Sequence, residues 1–464
     1  MLTVPADLRR RLQEFEQAHV LAGWDRASED ERRGLLAQVK ALDLDQLRRL
    51  YEQRDYAVAL PAPERIAPIP VIPLDADTRE GRRLGEESLR RGEVAVLLVA
   101  GGQGTRLGFD HPKGMFPIGP VSTKSLFQIH AEKVLATRRR YAKPVPFLVM
   151  TSPATDAETR EFFEQHDHFG LPAGDVHFFC QGTMPALDLA NGKLLMETPG
   201  RLFTSPNGHG GTLTALSDSG LLDRMRSHGI RHFFYFQVDN PLVKVADPVF
   251  LGRHLNANAE MSSKIVAKEA PTDKVGNMVL VDGRSAIIEY SDLPRELAEQ
   301  RDERGKLRIW AGSPAIHYFA IEFLERVTRG HTRIPFHVAR KKVPYVDAAG
   351  KQVEPKTENA LKFEMFIFDV LPLADRWAVV ETSRREEFVP LKNATGADSP
   401  VVVQQAMSDL AADWLARAGV VVLRRPDGGA AAPLEISSLY ALDAEELAAK
   451  VDRGLHVADP TYLN

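Results

Sequence analysis

The sequence predicts an α/β protein: a Rossmann-like, mostly parallel sheet with a helical N-terminal region before it and a small C-terminal α/β module after it. Three observations predict this. The run Val94-Ala95-Val96-Leu97-Leu98-Val99 is continuously apolar and ends in glycines, as a parallel strand buried on both faces does. Strand-like and helix-like stretches then alternate as far as Val238, the pattern of a βαβ architecture. The length of 464 residues exceeds what one core supports, while 44% hydrophobic and 26% charged residues are ordinary for a globular chain.

Each element follows from its local pattern. Residues 6–55 are rich in Leu, Arg, Glu and Gln at helical spacing, with Leu36, Val39, Leu42 and Leu47 as the apolar stripe, so helices joined by short turns are expected. From Pro61 to Pro73 five prolines force an extended strap. A charged helix over Asp77–Arg91 precedes the first strand. After it come a helix Leu126–Arg140, a strand Val145–Met150, a helix Asp156–Gln165, a strand Val176–Cys180, a helix Leu213–Ser227 and a strand His232–Val238. From about Met261 strands become frequent (Ile265–Lys268, Met278–Val281, Ala286–Ile288), which predicts an antiparallel extension. A helix Val402–Ala418 and the strand Val420–Leu423 form the C-terminal module. The expected division is therefore 1–90, 91–396 and 397–464.

The bulk properties exclude several classes. A net charge of −4 argues against nucleic-acid binding driven by overall charge. The single cysteine, Cys180, allows neither an intramolecular disulfide nor a cysteine zinc site. The N-terminus turns polar at once, without a signal-peptide core, and no apolar run approaches membrane-spanning length. The cytoplasm is the expected compartment; oligomeric state is not legible.

The chemistry concentrates in Ala100-Gly101-Gly102-Gln103-Gly104-Thr105-Arg106-Leu107-Gly108, directly after the first strand. Glycines let backbone N–H groups crowd a phosphate, and Arg106 adds a fixed, forked cation. A P-loop would need Gly-Lys-Ser/Thr, whereas Gly108 is followed by Phe109. The second gap in the glycine spacing is too long for a dinucleotide fingerprint, which disfavours a nicotinamide-dependent oxidoreductase. Lys113, in Pro112-Lys113-Gly114-Met115, follows closely enough to serve the same phosphates. Two cations beside one glycine loop suit transfer at phosphorus, where catalysis is positioning and charge neutralisation.

These segments resemble the eukaryotic-type UDP-N-acetylglucosamine pyrophosphorylase family, related to UDP-glucose and broad UDP-sugar pyrophosphorylases. The resemblance continues in order through Lys124–Gln128, Gln181–Ala186, Val238–Pro248, Val275-Gly276, Glu289–Ser291, Lys341–Asp347, Lys362–Asp369 and Pro390–Ala394. It implies a GT-A-like nucleotidyltransferase core, UTP and a sugar 1-phosphate as substrates, and Mg²⁺ as cofactor. Ala100, Gly101 and Gly102 would hold uracil and ribose, completed by Gln181 and Gly208. Arg106 and Lys113 would bind the triphosphate, and Asp239 the metal. Lys362 and Lys392 would reach the sugar phosphate or pyrophosphate. Gly276, Glu289 and Tyr290 would recognise the sugar. Phe366 and Phe368 would sit near an acetamido pocket, sharing a face if that segment is extended.

Two positions depart from the family pattern. Its Gly-Asn-Gly-Gly turn reads Gly208-His209-Gly210-Gly211, similar to the UDP-glucose branch, and its Asn-Ala-Gly-Asn segment reads Trp310-Ala311-Gly312-Ser313. Ser313 keeps one hydrogen-bonding group with shorter reach. Uridylyl transfer is expected in either case, with N-acetylglucosamine 1-phosphate as first expectation for the sugar and glucose 1-phosphate as the alternative. A non-catalytic UDP-sugar sensor is the rival of another class, which the retained Arg106, Lys113 and Asp239 disfavour.

Overall fold

The computed structural model describes residues 2–55, 60–330, 334–347 and 349–464. They group into two compact units: one of Met1–Leu60, Gln181–Thr212 and Ile334–Asp369, the other of Pro61–Cys180, Leu213–Arg333 and Val370–Asn464. These units are assembled from separated stretches, so they are not coextensive with the consecutive domains expected from sequence.

The larger unit is built on an eleven-stranded sheet. Four strands run parallel in the order Val176–Cys180, Phe147–Thr151, Val94–Val99 and His232–Gln237. Val94 to Leu98 are almost wholly buried, as their unbroken apolar run requires. Beyond His232–Gln237 the row continues antiparallel, beginning with His317–Ala320 and Met261–Ala267, with Trp377–Glu381 paired parallel to the latter off the main row. Ala311–Ser313 and Gly276–Val281 follow, the latter paired also with Arg284–Ile288. The antiparallel extension expected from Met261 is thus present. Residues 400–463 lie in this unit too, with the helix Pro400–Arg417 burying Ala411, Ala412 and Leu415 against Leu434 and Leu447.

In the smaller unit the helices Ala6–Glu14, Glu29–Ala41 and Leu44–Glu52 do not close a core by themselves. Their apolar stripes (Leu8, Leu12, Leu35, Leu36, Val39, Leu47) bury against Leu187, Leu202, Leu361 and Phe363. The last two belong to the central strand of an antiparallel sheet of His337–Lys341, Ala360–Glu364 and Leu187–Asp188.

One expectation is corrected, and one left open is decided. The helix over Leu213–Ser227 is two helices, Gly211–Asp218 and Leu221–Ser227, because Gly220 takes φ 73° between them. The segment holding Phe366 and Phe368 is not extended. The strand ends at Glu364 and a 3₁₀ helix runs from Ile367 to Leu373, yet the two rings still stack, with centroids 5.0 Å apart.

Candidate functional site

In the larger unit, Val94–Val99 and His232–Gln237 are adjacent parallel strands, so the glycine loop and Asp239 leave the same carboxyl edge of the sheet. Ala100 is fully buried; Gly101 and Gly102 emerge from it. The loop then folds back, with the Gly104 N–H donating to the His111 carbonyl at 2.9 Å and Lys113 N–H to the Gly102 carbonyl at 3.0 Å. Gly104 is obligatory, since a Cβ there would stand 2.7 Å from the Phe109 carbonyl oxygen. Gly102 is exposed, with open space where its Cβ would be. Arg106 lies exposed on the turn Thr105–Leu107 and pairs with no acid among the described residues.

This fold-back brings the Lys113 ammonium within 3.9 Å of an Asp239 carboxylate oxygen. Lys113 Nζ also reaches the Leu391 carbonyl at 3.4 Å, while the Leu391 N–H donates to the Asp239 carbonyl at 2.7 Å. Lys392 is therefore carried beside the same corner by its neighbour. Asn240 adds a further tie: its amide donates to the Glu387 carbonyl at 2.8 Å, and its oxygen accepts from Val389 N–H at 3.3 Å. Glu387 is itself fixed by a buried ion pair with Lys264 at 2.5 Å, whose ammonium also bonds Asp247 at 2.7 Å. Lys133 holds the next turn through the carbonyls of Pro241 and Val243, and burial pushes its ammonium down to about 7.

Among the described residues no cluster of three or more His, Cys, Asp or Glu forms a protein-made metal cage, so Asp239 belongs to no such ligand cluster. Mg²⁺ bound through one or two carboxylates plus substrate phosphates needs no such cage, so Asp239 at the mouth of a glycine loop fits that ion.

The residues expected to meet the sugar form a second group in this unit. Gly276 pairs across the sheet with Ser313, and the next pair along, Asn277 with Ile288, places Glu289 opposite Gly276 on its other side. A Cβ on Gly276 would stand 2.6 Å from the Ile287 side chain and 3.7 Å from a Glu289 carboxylate oxygen. The Ile287 methyl thus fills the space a side chain would take at this position, so only glycine fits beneath it. Tyr290 follows, nearly half exposed. On the opposite face of this row, buried Lys268 donates to Asn277 at 2.6 Å, its pKa lowered by that burial.

The smaller unit holds the remaining predicted residues. Gln181 is buried at the start of its second stretch. Gly208, at φ 84°, is obligatory, because a Cβ would stand 2.4 Å from the Met365 carbonyl oxygen. Around it the chain is zipped, with Met365 N–H donating to Asn207 and Gly210 N–H to Met365, both at 2.8 Å. This seats His209 against Phe366 and Phe368, with ring centroids 5.4 and 5.8 Å away, while His209 Nδ1 accepts from Ile367 N–H at 3.1 Å. Burial pushes the imidazole down to about 4, the nearby Asp369 carboxylate opposing and His337 assisting. His209 is therefore a neutral acceptor at neutral pH. Lys362 lies on the strand Ala360–Glu364, its ammonium 4.9 Å from the centroid of Phe203, and burial lowers its pKa too.

A family described as UTP–glucose-1-phosphate uridylyltransferase matches residues 59–416. The chain belongs to this family. A UDP-N-acetylhexosamine pyrophosphorylase-like protein 1 from Xenopus tropicalis is 39% identical over 433 residues, 89% of this chain and 84% of that one. The UDP-N-acetylglucosamine pyrophosphorylase of Saccharomyces cerevisiae is 40% identical over 350 residues, 73% of each. The crystal structure of the uridine diphosphate N-acetylglucosamine pyrophosphorylase from Trypanosoma brucei matches with a TM-score of 0.81 at 27% identity, covering 97% of this chain and 95% of that one.

Sequence reasoning missed several residues of this uridylyltransferase. Asn240 lay inside a quoted motif without a role, and Lys264, a lysine within the apolar strand Met261–Ala267, was the available signal of a buried charge network. Glu387, its partner, gave no local signal. A cavity of about 390 Å³ lies in the larger unit between Lys133, Tyr141 and Val243 on one side and Trp414 and Ile436 on the other. It contains none of the predicted site residues. Its main acids and bases are bonded to one another, as in Lys244–Glu386, Lys124–Glu132 and Arg140–Asp443, so its walls single out no ligand charge.

Proposed function

We propose that this uridylyltransferase joins UTP to N-acetylglucosamine 1-phosphate, releasing UDP-N-acetylglucosamine and pyrophosphate. The observation that carries this is the corner where Lys113, Asp239 and the Leu391-Lys392 backbone meet beside the glycine loop, at the carboxyl edge of two parallel strands. The names of the frog and yeast relatives support an N-acetylated sugar.

The reaction is an in-line displacement. A phosphate oxygen of the sugar 1-phosphate attacks the α-phosphorus of UTP, and the bond from that phosphorus to the oxygen bridging to the β-phosphate breaks. The electron pair leaves with pyrophosphate, and no covalent enzyme intermediate forms. Ala100 to Gly102 bring backbone close to the nucleoside, with Gln181 and Gly208 reading uracil. Arg106 and Lys113 neutralise the triphosphate, and Lys392 the attacking or departing phosphate. Lys362 serves the same anions, and its burial leaves it less solvated than a surface lysine. Asp239 would hold Mg²⁺. When bound, that ion neutralises charge on the phosphoryl oxygens.

Glu289 accepts hydroxyl hydrogen bonds from the pyranose, with Gly276, Ser313 and Tyr290 beside it. Phe366 and Phe368 offer an apolar face to the acetamido methyl, and His209 a donor, since its Nδ1 is taken by the Ile367 N–H and the neutral ring then carries its proton on Nε2. A second reading, glucose 1-phosphate, is favoured by Ser313, whose side chain is short where the family has an amide. The expected compartment is the cytoplasm, checked by cell fractionation.

The test is pyrophosphate release from UTP and Mg²⁺ with N-acetylglucosamine, N-acetylgalactosamine, glucose and galactose 1-phosphates offered separately. Fastest release with the first, abolished by EDTA, is expected. Fastest release with glucose 1-phosphate would establish the second reading. Tight UDP-sugar binding with no release from any of the four would instead identify a sensor.

A further inference from the structure

Between the Lys113 segment and the helix Leu126–Tyr141 the chain makes a narrow turn. Ile118 and Gly119 N–H both donate to the Lys124 carbonyl, at 2.9 and 3.0 Å, and Leu126 N–H donates to Phe116 at 3.1 Å. Thr123 at the tip has φ 56°. A β-branched residue in the left-handed region is costly and persists only where its surroundings over-determine it. The surroundings here come from the far end of the chain. Glu435, 6% exposed, accepts from Val121 N–H at 2.9 Å, Ser122 N–H at 2.8 Å and the Ser122 hydroxyl at 2.6 Å. Gly119 leaves room for it, since a Cβ there would stand 3.0 Å from a Glu435 oxygen. Glu435 and Tyr462 are register partners on the parallel strands Leu434–Ile436 and Thr461–Leu463. The Tyr462 ring lies 5.2 Å from the ammonium of Lys124, on the same turn.

We propose that the C-terminal module is a clamp that positions the Lys113 loop, with Glu435 as the positioning residue. Glu435 acts through the turn it bonds: it sets the far end of the segment whose near end carries Lys113 to Asp239. The carboxylate satisfies two backbone donors and a hydroxyl that the turn cannot satisfy internally. This inference rests on the reading of Lys113 as a ligand of the UTP phosphates.

The test compares Glu435→Ala, Glu435→Gln and Ser122→Ala with the full-length wild type by amide hydrogen exchange and by initial-rate kinetics. Glu435→Ala is expected to speed exchange at residues 113–125 and to raise KM for UTP roughly tenfold, since small misplacement of a positioning group costs on that scale. KM for the sugar 1-phosphate stays within about twofold. Glu435→Gln, which keeps a carbonyl acceptor, restores most of both. Ser122→Ala leaves the module's own residues unchanged and removes two bonds, the hydroxyl's to Glu435 and the one it accepts from Lys124 N–H, so it gives a smaller change in the same segment and carries the test if Glu435→Ala does not fold. Unchanged exchange at 113–125 in both alanine variants would overturn the clamp. So would a kinetic loss in Glu435→Ala confined to kcat and matched by lost folded protein. A wild type that releases no pyrophosphate would instead sink the functional reading, and the exchange comparison would still decide the clamp.

Discussion

The Lys113–Asp239 corner and the Glu289–Gly276–Ser313 row lie in the same unit but are built differently. The corner is tied by backbone bonds to Gly102 and Leu391, by Asn240, and by the buried Lys264–Glu387 pair. The row rests on strand pairing, one glycine packed under Ile287, and a serine at the position where the family pattern has a longer amide. If the corner handles the phosphates and the row the sugar, as proposed, the first is held by many interlocked contacts and the second by a few side chains that can change without disturbing them.

The comparison is tested hardest at its keystone. Lys264→Met leaves Glu387 buried and unpaired, and should cost about 3–5 kcal/mol of stability, read from chemical denaturation. A loss below about 1 kcal/mol would mean the corner is not held from beneath. Next in size, Lys113→Ala should lower kcat at least ~100-fold with the melting temperature little changed; a near-normal rate removes Lys113 from the chemistry. In the row, effects should be smaller and selective. Gly276→Ala should raise KM for the sugar 1-phosphate about tenfold and leave KM for UTP alone. Ser313→Asn should shift the ratio of kcat/KM for N-acetylglucosamine over glucose 1-phosphate upward by roughly tenfold. If either variant moved UTP kinetics equally, the two regions would not be separable.

The smallest effect concerns pH. His209 is held neutral down to about pH 4, whereas an unfolded histidine protonates near 6.5. Between those values the unfolded chain binds more protons, so stability falls as pH drops from about 6.5 to 4. Because several other buried histidines act the same way, His130 and His232 among them, His209→Asn should flatten the acid side of the melting curve against pH by only a few degrees. An unchanged slope would mean the His209 ring is not desolvated.

What the sequence revealed follows from the range of the forces involved. The strand Val94–Val99, the glycine loop, Lys113 and Asp239 are legible because each is signalled by neighbours in the chain: an apolar run, a glycine spacing, a carboxylate at a strand end. The role of Glu387 was not legible, since its meaning depends on Lys264, more than a hundred positions away. The gathering of the smaller unit from separated stretches was not legible for the same reason. The stripe of Leu36, Val39 and Leu47 announces helices, but nothing local says that Leu361 and Phe363 complete their core. The break at Gly220 was visible as a glycine and was smoothed over by the helical pattern on either side.

That shared core has a consequence for how the protein is made. Roughly 300 residues separate Leu47 from Leu361, which at ordinary ribosomal speeds of about 5–20 residues per second is some 15–60 seconds of translation. Throughout that interval these helices display an apolar stripe while the strand carrying Leu361 and Phe363 has not been synthesised. The nascent chain is therefore a natural client for chaperones that shield such surfaces. A chain terminated before Leu361 should collect in inclusion bodies, where the full-length protein remains in the supernatant.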